Sequence, residues 1–357
     1  MRQRRLGRSG LSVSEICLGT MTFGAQADEG ESFRTLDRAA AAGVDFLDTA
    51  DVYPVPMTLE TVGRTEEILG RWLRGRRARF VLATKCFFPT GPGPNERGAS
   101  RRHVIAACEA SLRRLGCEWI DLYQLHAFDP QTPLEETLRA LDDLVSSGKV
   151  RYLGVSDTPA WKVAEAQTIA RFRGWSAFVG LQVEYSLAER TIEGELVPMA
   201  RELGLGITPW SPLRYGVLSG KYKRETAKDA KPGRGAWVQA SLNERVFALL
   251  DVLNKVAGEL GTTPARVALA WVQARPGVTS TILGARSLAQ LEDNLGALDL
   301  QLPAEARAAL DEASKPSLNF PADFVRGSGM FKRGGSTVNG ETVPPWPMAP
   351  KSDAERY

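Results

Sequence analysis

Short apolar runs alternate along this chain with longer stretches in which apolar positions recur every three or four residues. The runs at 16–18, 46–48, 80–84, 120–125, 150–155, 179–183, 206–209 and 279–283 are too short for helices and predict strands. Between them, EGESFRTLDRAAAAG and SRRHVIAACEASLRRLG carry helical spacing, and each ends near a glycine able to take the left-handed conformation that closes a helix. TTPARVALAWVQA opens with a threonine that can cap the first turn, followed by a proline whose missing N–H is not needed there. LGRSGLSVSEI predicts a small N-terminal hairpin with Ser9-Gly10 as its turn.

Strands that alternate with helices pair in parallel, because each helical crossover returns the chain in the same direction. Eight such units predict an α/β fold, a (β/α)8 TIM barrel with an N-terminal hairpin and a C-terminal tail. An open doubly wound sheet is the alternative, but no GxGxxG follows the first run. We expect the barrel to occupy 1–315. The remainder, 316–357, is rich in Gly, Pro and Ser without periodicity and reads as a tail packing on or extending from the barrel. The connections 50–64, 87–98 and the stretch after Trp210 through KYKRETAKDAKPGRGAW are longer than joining requires. In a barrel they follow strands and gather on the face where pockets form.

Composition narrows the function. Across 357 residues, 45 Lys+Arg against 42 Asp+Glu leave a net charge of +3, which implies no broad attraction to nucleic acid or membrane. RQRR near the start and RGRRAR at 74–79 read as solvated surface. No apolar stretch approaches the roughly 20 residues of a spanning helix, and the first residues lack the apolar core of a secretory signal. Cys17, Cys86, Cys108 and Cys117 lie in apolar segments without CxxC pairing, so we expect reduced, buried thiols and a cytoplasmic protein. Cys86 follows Lys85 and reads as a small core residue.

The chemistry sits where runs end. VDFLDTADVY, RFVLATK and IDLYQLH deliver Asp48, Tyr53, Lys85 and His126 at successive strand ends. A tyrosine is a poor acid at neutral pH unless a nearby cation lowers its pKa. Lys85 can supply that charge, Asp48 can hold the ammonium, and His126 can hydrogen-bond a substrate oxygen or the phenol. Taken singly, each has a plain structural reading; the joint pattern carries the signal. Asp45 and Asp51 read as caps or surface charges.

This order of residues and strings resembles the aldo-keto reductase family over roughly 1–315. The resemblance implies NADPH/NADP+ as cofactor, a small carbonyl compound as substrate and no metal. It makes Tyr53 the proton donor, Lys85 its activator, Asp48 the lysine partner and His126 the carbonyl orienter. LGTMTFG implies Gly19, Thr20 and Met21 under the nicotinamide ribose, with Gln26 nearby. GVSD and LQVEYSL imply Ser156, Asp157 and Gln182 at the carboxamide. TPWSPLRYGVLSGKY implies Trp210 stacked on the nicotinamide, with Ser211, Pro212, Leu213 and Lys221 around the pyrophosphate. ILGARSLAQLEDNL implies Gly284, Arg286 and Gln290 at a 2′-phosphate, and Asp293 and Asn294 at the adenine. A guanidinium at Arg286 can fork onto a phosphate, which favours NADPH over NADH. Substrate contacts fall to Tyr53, Phe88, His126 and Phe128, with Phe87, Trp210 and Tyr215 adding apolar area. Two positions depart from the family pattern. Asp157 replaces an asparagine and loses a donor, and Asp293 stands where glutamate is usual. The family also includes potassium-channel β subunits, so a cofactor-binding sensor with slow turnover is the second reading. A hydrolase is the third, but it lacks a second carboxylate at a suitable strand end.

Overall fold

The computed structural model describes residues 1–222, 224, 235–329, 331, 334–338, 340–350, 352 and 354. A hairpin of β1 (Gln3–Arg5) and β2 (Ser12–Ser14) leads the chain. Every predicted run then becomes a strand: β3 Ile16–Gly19, β4 Phe46–Asp48, β5 Val81–Cys86, β6 Ile120–Leu125, β7 Val150–Ser156, β8 Phe178–Glu184, β9 Gly206–Trp210 and β10 Thr281–Gly284. They pair in parallel in the order β10-β3-β4-β5-β6-β7-β8-β9. The ring closes ahead of β10, where Ile207 bridges Val278 and exchanges hydrogen bonds with Gly277 and Thr279. This is a (β/α)8 barrel, not an open sheet. β5 outlasts its apolar run, because Lys85 and Cys86 stay paired with Gln124 and Leu125. A charge ends a hydrophobic pattern without ending a ladder.

The crossover helices start and stop where their caps lie. After β3 comes α1 (Glu29–Ala41), capped by Asp28. α2 (Arg64–Leu73) follows β4, and α3 (Arg101–Leu115), capped by Ser100 and closed by left-handed Gly116, follows β5. α4 (Leu134–Ser146), α5 (Ala160–Arg173) and α6 (Leu196–Leu203) follow β6, β7 and β8. Between β9 and β10 lie α7 (Gly235–Ser241), α8 (Glu244–Glu259) and α9 (Pro264–Gln273), the last capped by Thr263 with Pro264 in its first turn, as its sequence predicts. α10 (Leu288–Leu295) and α11 (Ala304–Ala313) follow β10. In the long stretch after Trp210, residues 223 and 225–234 lie outside the described residues. Beyond 315, where no periodicity was legible, the chain forms α12 (Ala322–Gly327) and a short pair, β11 (Thr337–Val338) with β12 (Glu341–Thr342). Leu318 and Ala322 sit against Gly194, after β8.

Strand alternation divides the core. Leu18, Leu47, Leu82, Tyr123, Leu153, Leu181, Ile207 and Leu283 face outward into the main core beneath the helices. Cys17, Phe46, Ala83, Leu122 and Ile282 face inward and pack with Leu6 and Val13 of the hairpin. Leu6 and Val13 are fully buried, so the hairpin plugs one end of the barrel. Its turn is wider than Ser9-Gly10: Leu6 N–H donates to Leu11 O, and the left-handed residue is Gly7, φ 59°. A Cβ there would lie 2.3 Å from Gly204 O, so only glycine lets the loop approach β9 this closely. With that end plugged, the main cavity opens beyond the C-terminal ends of the strands.

Candidate active site

Two residues beyond the inward apolar layer, the same alternation brings Asp48, Lys85 and Gln124 to the inner face. Asp48 is held from three sides. Lys85 Nζ donates to its Oδ2 at 2.6 Å, and Gln124 and Gln182 donate to its Oδ1 at 3.2 and 2.9 Å. Lys85 has no exposed surface and also donates to Thr49 O at 2.8 Å. Burial is the largest influence and works to lower its pKa, but the Asp48 charge and hydrogen bond together with Tyr53 and Cys17 raise it overall, so the ammonium is retained. Beyond β4 the chain carries Tyr53 back over this pair, with Lys85 Nζ 5.0 Å from the ring centroid.

The Tyr53 hydroxyl lies 3.4 Å from Nε2 of His126, which directly follows β6. Both side chains are nearly buried, and their rings meet edge-on. Burial raises the Tyr53 pKa; Lys85 pulls it down, as expected, without overcoming burial. Burial and the Lys85 charge hold the His126 imidazole well below its ordinary pKa, hence neutral. The site therefore offers a protonated phenol and a neutral imidazole side by side, backed by a fixed cation.

A cavity of about 520 Å³ opens above them on the C-terminal face. Its inner wall holds Gly19, Thr20, Met21, Asp48, Tyr53 and His126, and one flank holds Ser156, Asp157, Gln182 and Trp210. The other flank runs through Ser211, Pro212, Leu213 and Lys221 to Gly284, Arg286, Gln290, Asp293 and Asn294. Residues 15–315 match the family model described as Aldo/keto reductase family. The chain belongs to the aldo/keto reductase family. It is 41% identical over 314 residues to an uncharacterized oxidoreductase of Bacillus subtilis, YrpG, covering 86% of this chain and 94% of that one. A probable voltage-gated potassium channel subunit beta of Arabidopsis thaliana is 36% identical, with 84% of this chain and 92% of that protein covered. Versiconal hemiacetal acetate reductase of Aspergillus parasiticus is 33% identical, with 90% and 100% covered. The protein is an oxidoreductase of a family whose members use nicotinamide cofactors. No helix among the described residues is long and apolar enough to cross a membrane.

In this aldo/keto reductase the residues fit such a cofactor. Ser156 Oγ is buried on the cavity wall with no close partner apart from the adjacent Asp157 carboxyl, so it is a donor placed to meet a bound group. Among the described residues the Arg286 guanidinium makes no hydrogen bond or ion pair, while its backbone N–H donates to Gln290 Oε1 at 3.0 Å. Other predicted groups are already engaged. Gln182 spends its amide N–H on Asp48, and Asp293 accepts from Arg266 Nε at 2.9 Å and from Thr263. Asp157 accepts from the Trp210 indole N–H at 3.0 Å, a contact that was not foreseen.

Four predicted residues stay outside the cavity lining, Lys85 because it is fully buried behind Tyr53. Gln26 is exposed and reaches Val55 O, Phe87 stands edge-on to Phe88, and Phe128 lies past His126 without reaching the cavity. In the other direction, Val55 and Met57 line it unforeseen, since loop residues carry no periodicity to place them, as does Trp237 of the short helix α7. Gln124 was also missed, although it stands two residues before His126 on the same strand face. Asp51 is no surface charge: it is fully buried, with no side-chain hydrogen-bond partner for its carboxyl oxygens. Cys86 is a buried core residue, as expected. In the basic cluster at 74–79, Arg77 is tied to Asp121 at 2.6 Å.

Proposed function

We propose that this oxidoreductase reduces an aldehyde or ketone to the alcohol with NADPH, with Tyr53 as proton donor. The observation that carries the reading is the Tyr53 hydroxyl 3.4 Å from His126 Nε2 on the cavity wall, with the Lys85–Asp48 pair behind it. A bound nicotinamide supplies the hydride. Tyr53 gives its proton to the carbonyl oxygen as negative charge develops there, and the fixed Lys85 ammonium stabilises the phenolate left behind. His126, being neutral, orients that oxygen without competing for the proton. Asp48, held by Gln124 and Gln182, keeps Lys85 in place. Ser156 presents its hydroxyl to the carboxamide, and Arg286 its guanidinium to the 2′-phosphate.

Asp157 does bring a second carboxyl to the cavity, but all of Asp48's donors hold it as a structural acceptor, which disfavours paired-carboxylate hydrolysis. The cavity wall of Met21, Val55, Met57 and Phe88 suits an apolar carbonyl compound. The relative named a reductase supports turnover; the one named a channel subunit keeps the sensor reading open to test. The four unpaired thiols agree with a reducing compartment such as the cytoplasm.

Cofactor consumption over a panel of aldehydes and ketones, with NADPH and NADH in parallel, tests the proposal. Turnover with NADPH supports it, while tight retention of the cofactor without turnover supports the sensor. Losing one charge-assisted contact costs about 1.5–3 kcal/mol, so Arg286→Ala should weaken NADPH by roughly tenfold to a hundredfold and barely touch NADH. Equal losses for the two cofactors would remove Arg286 from the phosphate site.

A further inference from the structure

Asp157 and Trp210 stand on different strands and are joined by one hydrogen bond. Asp157 directly follows β7, Trp210 ends β9, and β8 runs between them. Trp210 Nε1 donates to Asp157 Oδ1 at 3.0 Å, and both residues line the cavity beside Ser156. An indole has a single N–H and two side-chain torsions, so anchoring that N–H leaves the ring one plane to present. Tyr215, 6.5 Å away and tilted by 50°, flanks the ring without stacking on it.

Asp157 is itself a firm anchor. Its backbone is left-handed, φ 44°, a conformation that Asp and Asn tolerate better than other residues with a Cβ. Its N–H donates to Gln182 O at 3.2 Å, which ties it to β8. Desolvation on the cavity wall raises its carboxyl pKa, while the hydrogen bonds from the Trp210 indole and the Ser156 hydroxyl work the other way.

We propose that Asp157 is a positioning residue, holding the Trp210 indole as a fixed wall for the nicotinamide ring. This rests on the nicotinamide reading above. The acceptor at 157 serves the aromatic wall, a role an asparagine oxygen would fill equally, so the departure from asparagine leaves that wall in place, and the Ser156 hydroxyl beside it is the donor for the carboxamide.

Two measurements on the full chain test this. Without cofactor, the ¹⁵N-indole resonance of Trp210, assigned by its loss in Trp210→Phe, reads the hydrogen bond directly. It should move upfield in Asp157→Gly, which tolerates φ 44° but lacks an acceptor, and stay near its wild-type position in Asp157→Asn, which keeps one. With NADPH, calorimetric titration should show Asp157→Asn within about twofold of wild type and Asp157→Gly about tenfold weaker, the loss expected for one hydrogen bond. Because the carboxyl acts through the ring, Asp157→Gly added to Trp210→Phe should cost little beyond Trp210→Phe alone. Additive losses would mean that Asp157 touches the cofactor itself and would overturn the proposal, as would an indole resonance indifferent to Asp157→Gly. Failure of the wild type to bind any nicotinamide would overturn the underlying reading, and the resonance would then report on the hydrogen bond separately.

Discussion

Tyr53 is buried against a lysine that cannot leave, and its proton is the one the proposed chemistry uses. Tyr53→Phe keeps the ring and its packing and removes only the hydroxyl. Turnover should fall by about 10²-fold or more, while NADPH affinity stays close to wild type. Steady-state rates on several carbonyl compounds check this; a phenylalanine variant working near the wild-type rate would return the donor role to another group. At this scale the four polar residues were legible because each breaks an apolar run. Their coupling was not. Burial outweighs Lys85 at Tyr53, and the amides of Gln124 and Gln182 converge on one carboxylate oxygen. Such balances depend on what surrounds a side chain, which no local string records.

At the scale of elements, caps and periodicity marked where helices begin and end, but not how closely they pack. Gly70 sits inside α2, and a Cβ there would lie 2.4 Å from Arg114 O and 2.8 Å from the Leu115 carbonyl carbon, at the end of α3. Alanine is the better helix former, yet here it must push two backbones apart. Gly70→Ala should cost about 1–3 kcal/mol of stability, as overpacking does. Gly258, inside α8, has nothing within 4 Å of the same added atom. Gly258→Ala should therefore stabilise by roughly 0.5–1 kcal/mol. Urea midpoints of the two variants check both signs, and shifts in the same direction would mean that the close approach of α2 to α3 is not limiting. Loops were the least readable elements. Met57 and Phe88 reach the cavity while Phe128 does not, a difference set by where each loop folds rather than by composition.

Across the whole molecule, one buried carboxyl sets a pH dependence. Asp51 lies next to the network in which Glu66, itself fully buried, accepts from Thr84 at 2.5 Å and pairs with Arg114 at 2.7 Å. Burial first, and then the Glu66 charge, push the Asp51 carboxyl well above its ordinary pKa, with Arg114 opposing. Between the unfolded value of about 3.9 and that raised value, the folded chain binds the extra proton. Stability contributed by Asp51 is therefore lost as pH rises through this window. Asp51→Asn removes the titration, so its melting temperature relative to wild type should climb as pH rises from about 4 and level off once the folded carboxyl has ionised. Scanning calorimetry across that range checks the slope. A difference independent of pH would show that Arg114 already compensates the charge.

The sequence by itself determined the strand and helix alternation, the parallel barrel and the strand ends that carry Asp48, Tyr53, Lys85 and His126. Those features follow from periods of two and of 3.6 residues and from where polar groups interrupt them. Tertiary structure alone decided that Asp51 is buried, that Gln124 supports Asp48, that Gly7 lets the hairpin seal the barrel and that Asp157 meets Trp210 across β8. The physical reason is range. Local pattern fixes which face a side chain takes on its own strand or helix, whereas partners far apart in sequence meet only after the barrel has closed.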